Sequence, residues 1–376
     1  MSKNIILILA NSAGGLLHFR QELIEELIRN NFIVYFSVPN LEDDISVQKL
    51  LSLKANYIYT NIDRRGINPF KDFKLINEYK RILKKINPDI ILTYTVKPNI
   101  YGNYVANKFN IPVIMNVTGI GTSLISHKLK FLIKTLYKYA CSKSNTVFFQ
   151  NSNNKDFFLQ NKLVDKEKTK LIPGSGVNLT KLVPLEKTKK DEKIKFLFIG
   201  RLMKEKGIDE LFEVYKAISA GCKNVLFQIV GSFEEEKYKI LLESTHNVEF
   251  LGRSQDVREQ IKEADCIINP SYHEGMSNVL LEGAAMGKPL LASNIPGCKE
   301  IVVDSYNGFL FEPKSASSLE ASIIKFIELT DEERVIMGKN SRIKVEKEFD
   351  RNIVINEYMK VIKNICNKDN SNETVI

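Results

Sequence analysis

The chain has 376 residues, of which 44% are hydrophobic and 26% charged, and a net charge of +9. That length exceeds what a single hydrophobic core usually serves, so two domains of roughly 150 to 200 residues are expected. No run of about 18 uninterrupted apolar residues occurs, and residues 1–10 are too short and lack a cleavage pattern for a secretory signal, so a membrane-spanning or exported chain is not expected.

Taken in chain order, residues 4–10, 32–38, 89–93, 113–116 and 146–150 read as short buried strands. Between them, 17–30, 70–86 and 100–109 carry helical spacing. Strand and helix in alternation indicate a parallel, doubly wound sheet. The stretch 181–193 is charged, contains Pro184 and lacks apolar periodicity, and reads as a linker. The alternation then restarts with strands at 194–199, 225–230, 248–251, 266–269 and 289–292, and helices at 207–220, 254–264 and 278–286. Helical segments at 315–349 and 351–366 follow, and the polar tail 367–376 is expected to be disordered. The organisation is thus an N-terminal α/β domain over 1–180, a second over 181–350, and a last helix, 351–366, that packs back on the first. In such sheets ligands lie beyond the carboxyl ends of the strands, so the loops after strands are where a site is sought.

One loop stands out. After the strand at 266–269 come Pro270, Ser271, Tyr272, His273, Glu274, Gly275, Met276, Ser277 and Asn278, then a helix carrying Glu282 about one turn in. The amides of Gly275, Met276, Ser277 and Asn278 lie at a helix entrance, where unpaired donors and the positive end of the dipole favour a phosphate. Glu282 suits ribose hydroxyls and Glu274 a sugar hydroxyl, because a carboxylate accepts several hydrogen bonds. Alone, two glutamates eight residues apart also fit a solvated helix face; their position after a buried strand, beside Gly275, favours the ligand reading. The strand at 194–199 runs into Gly200 and delivers Arg201 and Lys206 to the mouth of the next helix. Two fixed cations there would neutralise the charge on a departing diphosphate. Taken singly they are equally surface charges.

The run GRLMKEKG at 200–207, together with HEGMSNVLLEGAAMGKPLLASNIPGCKEIV at 273–302, resembles the retaining glycosyltransferases of family 4, which have the GT-B fold of two Rossmann-like domains with parallel sheets facing across a cleft. In the first half the resemblance rests on residues 11–20, which end in His18, Phe19 and Arg20, on 94–102 (YTVKPNIYG) and on Thr118 to Gly121. These are similar to bacterial enzymes that extend a sugar on undecaprenyl diphosphate during O-antigen, capsule or N-glycan assembly. The resemblance implies that Arg201 and Lys206 bind the donor diphosphate, that Glu274 faces the donor sugar, that Glu282 holds the ribose, and that the amides near Met276, Ser277 and Asn278 contact diphosphate and sugar. It further implies front-face transfer with retention, needing neither metal nor cofactor, in which the leaving phosphate takes the acceptor proton. The implied donor is a UDP-sugar, with N-acetylgalactosamine as the first choice and glucose or galactose as alternatives. One departure is plain: many members place a histidine where this chain has Asn116, Val117, Thr118 and Gly119, so either Thr118 and backbone groups about Gly119 substitute there or the sugar takes a different pose.

Gly14 and Gly15 resemble the glycine-rich turn that admits substrate, although a plain strand-to-helix turn has the same look. His18 and Arg20 follow them as candidate phosphate or acceptor contacts, against the commoner structural role of a lone histidine. No GxGxxG occurs, which argues against a dinucleotide oxidoreductase.

Charge is unevenly placed: residues 1–180 hold 25 Lys and Arg against 13 Asp and Glu, or +12, and the remainder 29 against 32, or −3. The first half is therefore expected to meet an anionic partner. Within 126–142, Lys130, Lys134 and Lys138 share a helical face beside aromatic and aliphatic residues, with His127 and Lys128 just before. Such a helix can rest on the anionic inner leaflet of the plasma membrane, each cation contributing about 1 kcal/mol, or be a buried helix with a solvated edge. Nucleic acid is disfavoured because the basic residues are scattered and no recognition motif occurs. Five cysteines, Cys141, Cys222, Cys266, Cys298 and Cys366, without a CxxC pair suit a reducing cytoplasm and no structural metal. Two rival classes stay open: a UDP-N-acetylhexosamine 2-epimerase-like enzyme, which needs acid/base groups around the sugar, and a non-enzymatic lipid-surface protein.

Overall fold

The computed structural model describes residues 4–63, 68–119, 130–187, 193–222 and 224–373. The chain divides into two compact units, residues 1–175 with 352–376 and residues 176–351. The first contains β1 (Ile5–Leu9), α1 (Ala13–Arg29), β2 (Ile33–Val38), α2 (Ile45–Ser52), β3 (Asn56–Tyr59), α3 (Pro69–Ile86), β4 (Ile90–Tyr94), α4 (Asn103–Lys108), β5 (Val113–Val117), α5 (Lys130–Lys143), β6 (Thr146–Phe149), α6 (Ser152–Gln160) and β7 (Thr169–Leu171). The second contains β8 (Ile194–Ile199), α7 (Ile208–Gly221), β9 (Val225–Val230), α8 (Lys237–Glu243), β10 (Val248–Phe250), α9 (Arg258–Glu263), β11 (Cys266–Asn269), α10 (Asn278–Ala285), β12 (Leu290–Ser293), β13 (Gly308–Phe311), α11 (Ala316–Glu328) and α12 (Asp331–Glu348). The chain then returns to the first unit in α13 (Arg351–Glu373).

Both sheets are wholly parallel and share one order. The first runs β3-β2-β1-β4-β5-β6-β7 and the second β10-β9-β8-β11-β12-β13. In each, the order reverses between the first strand and its later neighbour, β1 beside β4 and β8 beside β11. At such a reversal the connecting helices leave to opposite faces, and a crevice opens beyond the strand ends. The central strands are buried throughout and mostly apolar, as expected of strands covered on both faces, with Thr93, Asn116 and Asn269 as polar residues near their carboxyl ends.

In the first unit, one face of the sheet packs on α1 and α13: Ile8, Leu92, Tyr94 and Phe148 share a core with Leu23, Ile24, Tyr358 and Ile362. In the second, Phe196, Phe198 and Ile268 pack on α7 and α11, while Leu197, Ile267 and Leu290 pack on α10.

Three differences from the sequence reading have physical causes. The passage into the second unit falls at Ser175–Gly176 and not in 181–193; the Leu182 carbonyl accepts from Arg342, and the Lys187 ammonium reaches Asp265 at 2.5 Å, which ties that stretch to the second unit. The segment 315–349 is two helices, because Thr330 and Glu333 form a reciprocal capping box that starts α12. The last helix does not stop at residue 366 but continues to Glu373, since elongation from an anchored helix fixes few dihedrals per new hydrogen bond. Residues 374–376 lie outside the described residues.

Candidate functional site

In the second unit the candidate residues leave the adjacent strands β8 and β11 at their carboxyl ends. Gly200 follows β8; Arg201 is exposed and pairs with Glu234 at 3.4 Å. Leu202 bridges to Phe233 and is fully buried, so the segment beyond β8 is anchored between its two cations. A 3-10 turn, Lys204–Lys206, ends at Gly207, whose φ of +70° lies in the left-handed region. A Cβ there would stand 2.1 Å from the Pro270 carbonyl oxygen. Only glycine permits both the turn and the approach, which carries Lys206 onto the loop that follows β11. The same contact is secured by the Tyr272 amide, which donates to the Glu205 carbonyl at 2.9 Å.

The β11 loop is held from below. Asn269, 5% exposed, donates to Ser277 Oγ at 2.5 Å and accepts from the Ser271 hydroxyl at 2.6 Å. Ser277 in turn caps α10 through its side chain. Its own amide donates to the Gly297 carbonyl at 2.9 Å, so that amide is already committed within the fold. Gly297, with φ +88°, comes so close that a Cβ would meet the Glu274 and Gly275 carbonyl oxygens at 2.9 Å. Met276 is buried, Gly275 and Asn278 are half-buried, and His273 is exposed.

These supports bring Lys206 and Glu274 together. Lys206 Nζ lies 2.6 Å from Glu274 Oε1, with side chains 26% and 16% exposed. At that exposure a partner lost from either side leaves a charge poorly served by water. Glu282, half-buried on the first turns of α10, makes its own interaction within the fold. Beneath the pair, Cys298 is fully buried; burial, and then the nearby Glu274 carboxylate, push its thiol well up, so it stays protonated.

Three neighbours were given no role by the sequence. Tyr272 donates to the Glu210 carboxylate at 2.7 Å, and burial and that bond push its phenol up. Lys314 lies over the Tyr272 ring at 5.0 Å. Gly297 supports the loop from beyond β12, where Glu300 accepts its amide at 2.7 Å. A proline–glycine pair before Cys298 was the only visible hint of that turn.

In the first unit, Gly15 lies inside the first turn of α1, where its amide donates to the Ser12 cap at 3.2 Å. His18 is exposed, sits edge-on to Phe19 with ring centres 4.5 Å apart, and makes a further contact within the fold. Arg20 is 3% exposed and lies over Tyr94. Thr118 and Gly119 are half-buried just beyond β5, and the space about a Cβ at Gly119 is open. Ile120, Gly121, His127 and Lys128 lie outside the described residues. Lys130 opens α5; Lys134 turns inward to Asn161 at 2.5 Å and lies 5.4 Å from the Phe157 ring centre. Lys138 is exposed, as are Phe131 and Leu132.

Two family models cover most of the chain. "Glycosyl transferases group 1" matches residues 184–344 and "Glycosyl transferase 4-like" matches 6–151. The chain is 29% identical, over 95% of its length and 99% of the relative's, to the N,N'-diacetylbacillosaminyl-diphospho-undecaprenol alpha-1,3-N-acetylgalactosaminyltransferase of Campylobacter jejuni. It is 28% identical, over 76% of its length and 78% of the relative's, to the UDP-Gal:alpha-D-GlcNAc-diphosphoundecaprenol alpha-1,3-galactosyltransferase of Escherichia coli. Among solved structures, Anabaena HepE in complex with UDP superposes with a TM-score of 0.77 at 17% identity, covering 96% of this chain and 100% of that one. With a glycosyl transferase 4-like first half, a glycosyl transferases group 1 second half and two parallel Rossmann-like units, the chain is a glycosyltransferase of the hexosyltransferase type with the GT-B fold.

Proposed function

We propose that the chain moves a hexosamine, first of all N-acetylgalactosamine in alpha linkage, from a UDP-sugar to a sugar already carried on undecaprenyl diphosphate. The observation that carries the donor half of this reading is the 2.6 Å meeting of Lys206 with Glu274 at the carboxyl ends of β8 and β11. The acceptor half rests on the two bacterial relatives, both of which act on undecaprenyl-linked substrates. HepE bound to UDP and the relative that uses UDP-galactose support the nucleotide.

In the proposed mechanism Arg201 and Lys206 take up the donor diphosphate, and Glu282 accepts from the ribose. Lys206 then shares its charge between phosphate and Glu274, and Glu274 accepts from a hydroxyl of the sugar. As the bond from anomeric carbon to phosphate oxygen breaks, the cations offset the charge gathered on UDP. The acceptor hydroxyl attacks from the same face, its oxygen bonding the anomeric carbon and its proton passing to the departing phosphate oxygen, so the anomeric configuration is retained. Transfer takes place on the cytoplasmic face of the plasma membrane, against which Phe131, Leu132 and Lys138 of α5 rest; Lys134, turned to Asn161, takes no part. No helix among the described residues is long and apolar enough to cross the membrane.

The test is a panel of UDP-, GDP- and ADP-sugars offered with a short polyprenyl-diphosphate-sugar, and NMR of the new linkage. An alpha-linked N-acetylhexosamine from the UDP donor alone is expected. Epimerisation of the donor in the absence of acceptor, or no transfer from any nucleotide sugar by folded protein, contradicts the proposal.

A further inference from the structure

Arg20 is an arginine in the wrong place for a structural role. Its side chain is 3% exposed, and its guanidinium carbon lies 4.8 Å from the Tyr94 ring centre and 5.9 Å from that of Tyr358. Its hydrogen bond is a neutral one, from Nη1 to the Phe19 carbonyl at 2.8 Å, and Nε has no acceptor. Among the described residues no carboxylate pairs with it. Two tyrosine faces offset only part of the cost of burying a full charge. The arrangement is that of a cation awaiting a counter-ion.

Its surroundings say what kind. In the register of β4 and β5, Tyr94 stands beside Asn116. Asn116 Nδ2 donates to the Tyr358 hydroxyl at 2.7 Å, which orients the amide and leaves Oδ1 without a donor. Thr95 Oγ1 is buried and unpartnered too, and the buried Tyr94 hydroxyl, facing Arg20 and the Tyr358 hydroxyl, makes no hydrogen bond of good geometry. Long helical side chains lean towards the helix N-terminus, so α1 carries the guanidinium towards the carboxyl ends of β1 and β4, the reversal point of this sheet. A second feature marks the same edge. Thr95, β-branched, has φ +72°, and a π-helical turn, Pro98–Gly102, follows at once. Both are strained or rare backbone forms that concentrate at ligand sites. The other cation of this segment, Lys97, is already neutralised by Asp72 at 2.7 Å.

We infer that Arg20, steadied by Tyr94 and Tyr358, anchors the diphosphate of the acceptor at the carboxyl edge of the first sheet, with Asn116 Oδ1 and the Tyr94 hydroxyl receiving hydroxyl groups of the attached sugar. A sugar diphosphate supplies both the anion that Arg20 lacks and the donors that Asn116 lacks. The inference rests on the proposed acceptor class, and it names the group bound and the residue that binds it.

The experiment is calorimetry on the full-length protein with inorganic pyrophosphate while UDP is held at saturation, so that the donor site is filled. Wild type is expected to bind pyrophosphate, and Arg20→Met to bind it at least about tenfold more weakly, the loss of a charge-assisted hydrogen bond. UDP affinity should be unchanged. In turnover, KM for a short polyprenyl-diphosphate-sugar should rise by a similar factor with KM for the nucleotide sugar constant, and Arg20→Lys should fall between. Pyrophosphate binding and acceptor KM unaltered in Arg20→Met overturn the inference; so does a loss of UDP affinity equal to that of pyrophosphate, which marks general damage. Should Arg20→Met not fold, hydrogen exchange on wild type decides: pyrophosphate slows exchange over 13–20 and 94–102, and no change there overturns the site. A wild type that binds pyrophosphate through Arg20 yet transfers to no lipid-linked sugar keeps the anion site and removes the acceptor reading.

Discussion

Lys206 and Glu274 face one another across 2.6 Å, so each now serves as the other's counter-charge. Removing either alone should have different effects on the nucleotide. Lys206→Met leaves Glu274 uncompensated beside an incoming diphosphate, and UDP affinity should fall at least about tenfold. Glu274→Gln frees the lysine, so UDP affinity should hold or rise while kcat drops, because the sugar has lost its acceptor group. Isothermal titration with UDP beside a transfer assay separates the two; parallel losses in both variants would refute a shared site.

Lys288 offers a residue-scale test by pH. Its ammonium is buried and donates to the Lys262 and Ala264 carbonyls at 2.7 and 2.8 Å, at the end of α9. Burial, with Lys187 nearby, pushes its pKa down to about 8. A lysine in the unfolded chain titrates near about 10.4. Between those values the unfolded state binds the extra proton, so Lys288 lowers stability in full below about pH 8 and releases that penalty as pH rises towards 10.4. Urea midpoints should therefore climb with pH in wild type relative to Lys288→Met. A constant difference between the two across pH 7.5 to 10 would show that the lysine does not titrate there.

At the scale of elements, α13 is the most consequential. It contributes Val354, Ile355, Tyr358 and Ile362, all buried, to the core under β1, β4 and β6. Burial of each such side chain stabilises by about 1.5–3 kcal/mol, and domains have only about 5–15 kcal/mol in all. A chain ending at residue 350 should lose the cooperative unfolding of its first unit, seen as exposed apolar surface and a missing calorimetric transition; a native transition for that unit would contradict this. The central strands were legible because apolar runs bounded by turns need no tertiary context. β3, β7 and β13 were not: Asn56–Tyr59 and Thr169–Leu171 mix polar with apolar residues, and the short Gly308–Phe311 opens on a glycine. The short helices α2, α6 and α8 show too few turns for periodicity to register. The Thr330–Glu333 capping box, which the apolar periodicity of 315–349 does not reveal, marks the break between α11 and α12.

At the scale of the whole molecule, one strand order serves both units, and the candidate residues stand where that order reverses. The donor strings at 200–207 and 273–282 could be read as sequence because each is continuous after a strand. Their convergence could not, since it depends on the absence of a side chain at Gly207 and Gly297, two positions whose neighbours are distant in sequence. Arg20 shows the same limit: its partner Tyr358 comes from the far end of the chain, and its want of a carboxylate is a tertiary fact.

Glu282 is the residue on which the donor site turns, and UDP titration into wild type and Glu282→Ala is its most direct test. The account predicts at least about a tenfold loss of UDP affinity with unfolding temperature unchanged, as expected when hydrogen bonds to a charged acceptor are lost. Equal affinity in the two proteins would contradict it.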